Sequence, residues 1–194
     1  MARPRKFDHD EALKAAKALF WKKGYDATTT DDLRHAMGIG RQSLYGSFGG
    51  KRPLYLEVLR RYNTESIIAQ ITRLRAAASP LAGIRELLLA FASDPVEKRK
   101  LGCMGIAAIC TFGSDDTDVS AISHSSDAVL KSTLEEVLAN AKRLGETRPS
   151  LDVRATAHFI QATMIGIKVS ARAGAHPKIL RSIALTALEA LVPP

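Results

Sequence analysis

The sequence has little that would commit it to export, to a membrane or to catalysis. Only two of its 194 residues are cysteine, Cys103 and Cys110, seven apart within an apolar segment. A secreted disulfide framework is denser and a zinc site needs further ligands nearby, so both read as reduced thiols. No apolar run approaches the roughly 18 residues of a membrane span. The N-terminal stretch MARPRKFDHDE is basic but lacks the apolar core of an export signal. The expected location is therefore the cytoplasm, with no membrane partner. The GxxxxGK[ST] spacing of a phosphate loop is missing. None of the five histidines has a partner at a telling spacing, and the run HSSD at 124–127 has no second cluster to support it. Neither a metal, a cofactor nor a helical enzyme is indicated. Strand signals are weak, and there is no internal repeat or low-complexity tract.

What is present begins with charge. The formal charge is +8. Residues 1–61 hold 13 Lys and Arg against 7 Asp and Glu, a net of +6, whereas residues 62–194 hold 15 against 13. A basic N-terminal unit attracts phosphate backbones or an anionic lipid surface. A membrane-surface module would turn its large apolar side chains outward, while Leu13 and Phe20 are better explained as core.

Apolar periodicity and capping residues outline helices along most of the chain. Asp8 caps a first helix, with Glu11 completing a D-x-x-E box; Leu13, Ala16 and Phe20 share one face and Gly24 supplies the stop. Thr29 and Asp32 repeat the pattern before TDDLRHAM, which ends at Gly38. RQSLYGSF follows at once, and Pro53 at a first helical position launches a long helix that stops before Ser79 and Pro80. Further helices are expected at 80–92, in GCMGIAAICTFG, and at about 117–144, 152–173 and 177–191. The expected fold is all-α, with about nine helices. A three-helix unit at 1–55 would be fused to a helical domain at 56–194 through a shared helix.

The stretch GIGRQSLYGSFGGKR, residues 38–52, holds five glycines, three cations and two aromatics. Two short helices joined by GIG, after a longer helix and on the basic part of the chain, form a helix-turn-helix unit. The second helix of such a unit enters the major groove of double-stranded DNA, where its first residues meet base edges. Here these are Arg41, Gln42 and Ser43. Gly40 is expected to free the turn, while Leu44 and Phe48 face inward.

Residues 24–54 resemble the TetR family of one-component transcriptional regulators. The match runs through Gly24, Tyr25, Thr28, Thr29, Leu33, Gly38, Ile39, Leu44, Tyr45, Phe48, Lys51 and Leu54. Arg34, Gly40, Gln42 and Ser47 depart from the usual pattern at positions that bear on base readout rather than on the fold. The resemblance implies that Thr28, Tyr45 and Lys51 touch phosphates and that Arg41, Gln42 and Ser43 read bases; Thr29 and Gly40 complete the expected DNA-binding set.

Beyond residue 60 the resemblance is generic. It implies that the last two helices, about 150–194, pair with their copies in a homodimer, through a surface of Leu180, Ile183, Leu185, Ala187, Leu188 and Leu191. A two-fold dimer calls for a palindromic operator. It also implies an effector pocket within 80–145 for an unknown small molecule, with Phe91, Cys103, Met104, Cys110, Phe112 and His158 as candidate lining. The function so implied is a ligand-responsive regulator, most often a repressor. The alternative is a thiol sensor of oxidants or electrophiles through Cys103 or Cys110.

Overall fold

The computed structural model describes residues 7–193. The basic residues Arg3, Arg5 and Lys6 of the N-terminal stretch lie outside the described residues. Within them every regular element is a helix: α1 (His9–Lys23), α2 (Thr30–Met37), α3 (Arg41–Phe48), α4 (Lys51–Ala76), α5 (Pro80–Ser93), α6 (Val96–Leu101), α7 (Met104–Phe112), α8 (Thr117–Arg143), α9 (Val153–Arg172) and α10 (Pro177–Glu189). The short α6 buries no residue, so no apolar period announces it, and it is the helix the sequence expectation lacks.

Local chemistry sets most of the boundaries. Asp8 accepts from the backbone N–H groups of Asp10 and Glu11 and so starts α1. Thr29 and Asp32 bond each other's backbone N–H in a full capping box at α2. Those hydrogen bonds from Thr29, with Lys23 alongside, hold the half-buried Asp32 carboxyl down at about 2. The α2–α3 turn belongs to Gly38, whose φ of 64° is left-handed. Gly40 does not free the turn: its φ is −76° and its ψ 163°, which any residue adopts, and a side chain there would meet nothing within 4 Å. Helix α4 begins at Lys51, two residues before Pro53, which sits inside the first turn.

Apolar packing falls into two clusters. The first joins α1–α3 to the N-terminal half of α4, through Phe20, Leu33, Leu44, Leu54 and Leu59, and takes in Met104 and Ala108 of α7 and Val119 and Ile122 of α8. The second gathers Leu74 of α4 with α5, the rest of α8, α9 and α10. Helix α4 runs through both. Gly83 of α5 lies so close to the α4 backbone that a Cβ on it would collide with the carbonyl of Leu74. Leu180, Ala187, Leu188 and Leu191, read from the sequence as a surface for a second copy, are buried in the second cluster, with α10 packed on α5 and α9 of its own chain. Ile183 and Leu185 pack against the same core. Helical periodicity reports an apolar face but not which partner covers it.

Candidate nucleic-acid interface and effector cavity

Helix α3 buries Leu44 and Phe48 against the first cluster, which turns Arg41, Gln42, Tyr45, Gly46 and Ser47 to solvent. Ser43 is half-buried. No aspartate or glutamate occurs anywhere from residue 33 to residue 56, while Arg34, Arg41, Lys51 and Arg52 do. The exposed face of α3 therefore carries cationic and hydrogen-bonding groups with no local carboxylate to compete for them. The N-terminus of α3 has only Gly40 as its cap and makes no side-chain capping bond; Gly50 leaves the N-terminus of α4 in the same condition. Free backbone N–H groups at a helix start, with the dipole behind them, favour phosphate.

Tyr45 links the two helix starts. Its ring lies beside Gly50, where an added Cβ would sit 3.3 Å from Tyr45 Cε1, and Gly50 has a φ of 114° that side chains resist. The backbone thus favours glycine at 50, and a side chain there would also push the Tyr45 ring aside by a few tenths of an ångström. The Arg41 guanidinium lies 5.9 Å from the Tyr45 ring centroid, one helical turn away, and Lys51 Nζ sits 4.2 Å over the Tyr25 ring. Aromatic faces hold both cations on the reading surface without neutralising them.

The remaining predicted residues fall in different places. Thr28 is fully buried at 0% exposure, and its hydroxyl donates to the Gly24 carbonyl at 2.6 Å. That hydroxyl is committed to the turn. Thr29 is exposed, but its hydroxyl oxygen accepts from the Asp32 N–H at 3.0 Å as the α2 cap.

The head and the rest of the chain meet at an aromatic and ionic joint. Phe112, at the end of α7, packs on Tyr25 at 5.1 Å and Tyr55 at 5.5 Å between ring centroids, and Arg52 lies 4.9 Å over its ring. Burial pushes the Tyr55 hydroxyl up to about 12. Arg52 Nη2 donates to Asp116 Oδ1 at 2.6 Å, and the same carboxylate caps α8 through the Val119 N–H. Phe112 therefore belongs to this joint.

Two adjoining cavities lie deeper. The larger is bounded by α4, α7, α8 and α9 and holds about 100 Å³ of space for the centres of water-sized groups. Its wall mixes Ile67, Ile106, Leu130 and Met164 with Asn63, Gln70, Ser123 and Asp127. Burial raises the Asp127 carboxyl, against the opposing pull of His124 and Lys168. The second cavity lies between Trp21, Phe91, Lys98 and Arg99, with Lys168 Nζ 4.5 Å over the Phe91 ring. Cys103 and Tyr62 line both, and burial, with the Cys103 thiol beside it, pushes the Tyr62 hydroxyl up. Of the residues expected to line a pocket, the structure brings Phe91 and Cys103 to these walls. Met104 is buried in the first cluster, Cys110 is exposed, and His158 lies on the outer face of α9. The spacing of Cys103 and Cys110 does not place them together, because Cys103 is the cap preceding α7 rather than a residue within it.

Sequence reasoning missed Asn63, Gln70 and Ser123. Asn63 and Gln70 carried a readable signal, since they alternate with Ile67 and Leu74 along the buried stripe of α4 at helical spacing. Among the described residues no group of three His, Cys, Asp or Glu is placed to hold a metal, and no helix is long and apolar enough to cross a membrane.

Fold and surface together define a helix-turn-helix DNA-binding head joined to a helical body. Residues 12–58 match the sequence model of bacterial regulatory proteins of the tetR family. Over 188 residues, 96% of this chain and 90% of the relative, the sequence is 32% identical to the HTH-type transcriptional repressor ComR of Escherichia coli (strain K12). It is 44% identical over 73 residues, 37% of each chain, to the HTH-type transcriptional repressor BdcR of the same strain. A solved structure of a cysteine mutant of the TetR family transcriptional regulator CifR, complexed with 26-bp double-strand operator DNA, superimposes with a TM-score of 0.83. That comparison is at 26% identity and covers 98% of this chain and 100% of the other. The chain belongs to the TetR family, and it is a DNA-binding transcriptional regulator.

Proposed function

We propose that this protein is a repressor that grips a palindromic operator as a homodimer and is released when a small molecule enters the cavity between α4, α7, α8 and α9. The division of labour follows the chain, with residues 1–55 reading DNA and residues 56–194 sensing and dimerising. The observation that carries the reading is the exposed face of α3, where Arg41, Gln42 and Tyr45 stand on a carboxylate-free surface between two uncapped helix starts. The named repressor relatives and the operator-bound CifR structure support it.

Dimerisation is supported by a stripe along the outer face of α9. Ala155, Phe159, Ala162, Gly166 and Val169 are apolar or small and unburied within the chain, and Ile179 of α10 is exposed. Such a stripe lets a second helix approach closely and bury its large side chains. The partner is a second copy, because a two-fold operator needs two heads.

Base readout and phosphate contact separate experimentally. Selection from random DNA should return a palindrome. On that operator Arg41→Ala and Gln42→Ala should each lose about 1–3 kcal/mol, roughly 5- to 150-fold, with little change on random DNA. Lys51→Ala should weaken both and lower the salt dependence by about one counterion. Equal losses on operator and random DNA for Arg41→Ala would remove it from base reading.

A second route to release is favoured by one observation, the position of Cys103 on the wall of both cavities beside the Tyr62 hydroxyl. On this reading N-ethylmaleimide releases operator and Cys103→Ser abolishes that release, while Cys110→Ser does not. Release that survives Cys103→Ser and is lost in Cys110→Ser moves the thiol sensor to Cys110, and no release by N-ethylmaleimide leaves the cavity as the sensor.

A further inference from the structure

The wall of the larger cavity includes two residues, each with a buried polar atom that the protein itself does not satisfy. Gln70 and Ser123 are each 6% exposed, and neither Gln70 Oε1 nor Ser123 Oγ has a hydrogen-bond partner among the described residues. Both residues line the cavity. The orientation of the Gln70 amide is fixed by its other end, because Nε2 donates to the Ser66 carbonyl at 3.0 Å and to Ser66 Oγ at 2.9 Å. Reversing the amide would set its oxygen against the Ser66 carbonyl, two acceptors face to face. The free end is therefore an acceptor that needs an O–H or N–H donor. Ser123 Oγ can donate or accept. Leaving such groups unpaired in a buried site is costly, so an occupant that pairs them gains over one that does not.

Charge on the occupant is disfavoured. Beside these two residues the wall carries Ile67, Ile106, Leu130 and Met164 together with Asn63, Ser126 and Gln161. The charged members of the lining, Asp127 and Lys168, are of opposite sign, and the Lys168 ammonium lies over the Phe91 ring on the side of the second cavity. An added carboxylate or ammonium would lose its hydration and would meet a like charge in this wall as well as an opposite one. The space, about 100 Å³ for the centres of water-sized groups where about 10–15 Å³ is enough to hold one water, suits a small molecule.

We infer that the effector is a compact, uncharged, amphipathic molecule, an alcohol, phenol or primary amide on a small apolar skeleton, whose donor hydrogen bonds Gln70 Oε1 while Ser123 Oγ makes a second bond. This rests on the proposal that the α4–α7–α8–α9 cavity is the effector site, and it adds the class of molecule that fits.

Four probes of similar size test the class on the full-length protein by NMR titration: benzyl alcohol, ethylbenzene, benzoate and benzylamine. Benzyl alcohol should bind at least about tenfold more tightly than the other three, the worth of one buried hydrogen bond at about 1.4 kcal/mol per decade. Gln70→Leu and Ser123→Ala should each shrink the ratio to ethylbenzene towards one, leaving ethylbenzene itself as tight or tighter. Ser123→Ala removes a single oxygen and carries the test should Gln70→Leu unfold the chain. Ethylbenzene, benzoate or benzylamine binding as well as benzyl alcohol overturns the inference. So does a preference that survives both substitutions, or failure of all four probes to bind near their solubility limits. Operator release is measured separately by fluorescence anisotropy with the same probes. Selective binding that leaves the operator complex intact sinks the effector-site proposal and leaves the chemistry of the cavity standing.

Discussion

Phe159→Glu is expected to convert the protein to monomers and to weaken binding to a palindromic operator by at least about 100-fold. Phe159 is 44% exposed on the outer face of α9, in line with Ala162, Gly166 and Val169. In a two-fold interface each residue occurs twice, so one substitution places two carboxylates in the contact. Burying an unpaired charge costs several kcal/mol, and each 1.4 kcal/mol is tenfold in a dissociation constant. Light scattering should report the monomer and a thermal melt an intact fold, because Phe159 is not part of the chain's own core. The control is Leu188→Glu. Leu188 is 7% exposed within the second cluster, so a charge there should unfold the chain before it dissociates anything. A folded Phe159→Glu dimer would move the interface elsewhere.

Phe112→Ala is expected to cut the link between cavity and DNA while sparing both sites. Helix α7 presents Gly105, Ile106 and Ile109 to the cavity and Phe112 to Tyr25 and Tyr55 of the head. Anything that displaces α7 must therefore move the ring on which the head rests. Coupling between two ligands in such systems is typically about 5- to 150-fold and reciprocal. In Phe112→Ala it should fall close to one, measured as operator affinity with and without benzyl alcohol and as benzyl alcohol affinity with and without operator. Phe112 is only partly buried, so the stability loss should stay below the roughly 3–5 kcal/mol of a fully buried phenylalanine. Arg52→Ala, which removes the ion pair to Asp116 and the cation over the ring, should act in the same direction. Loss of operator binding in the absence of any ligand would make the joint a structural support instead of a relay.

The parts of this molecule that the sequence announces are those set by neighbouring residues. Asp8, the Thr29–Asp32 pair, Gly24 and Gly38 mark α1 and α2 because a cap is a bond between residues two to four apart. Arg41, Gln42 and Tyr45 are legible as an exposed face because Leu44 and Phe48 define the opposite one. The glycines of GIG show the limit: composition cannot say that Gly38 takes the left-handed conformation and Gly40 an ordinary one. The α10 leucines show another, since an apolar face looks the same whether its own core or a second copy covers it. The cavity was least visible, because its polar members come from three helices far apart in sequence and only folding brings Gln70, Cys103 and Ser123 together.

Helix α4 has one further consequence. Its 26 residues make a continuous rod of about 39 Å, with Lys51 at the DNA end and the Leu74 contact at the other. The tight seat of Gly83 on Leu74 makes that far end a pivot. Leu74 is about 35 Å from Lys51 at 1.5 Å per residue, so a swing of about 6° around it would carry the DNA end sideways by about 3.6 Å, close to the 3.4 Å rise of one base pair. On the proposed release mechanism the rod would work as a gear: a displacement near the pivot too small to disturb the core of the body would put α3 out of step with its half-site by about one base pair.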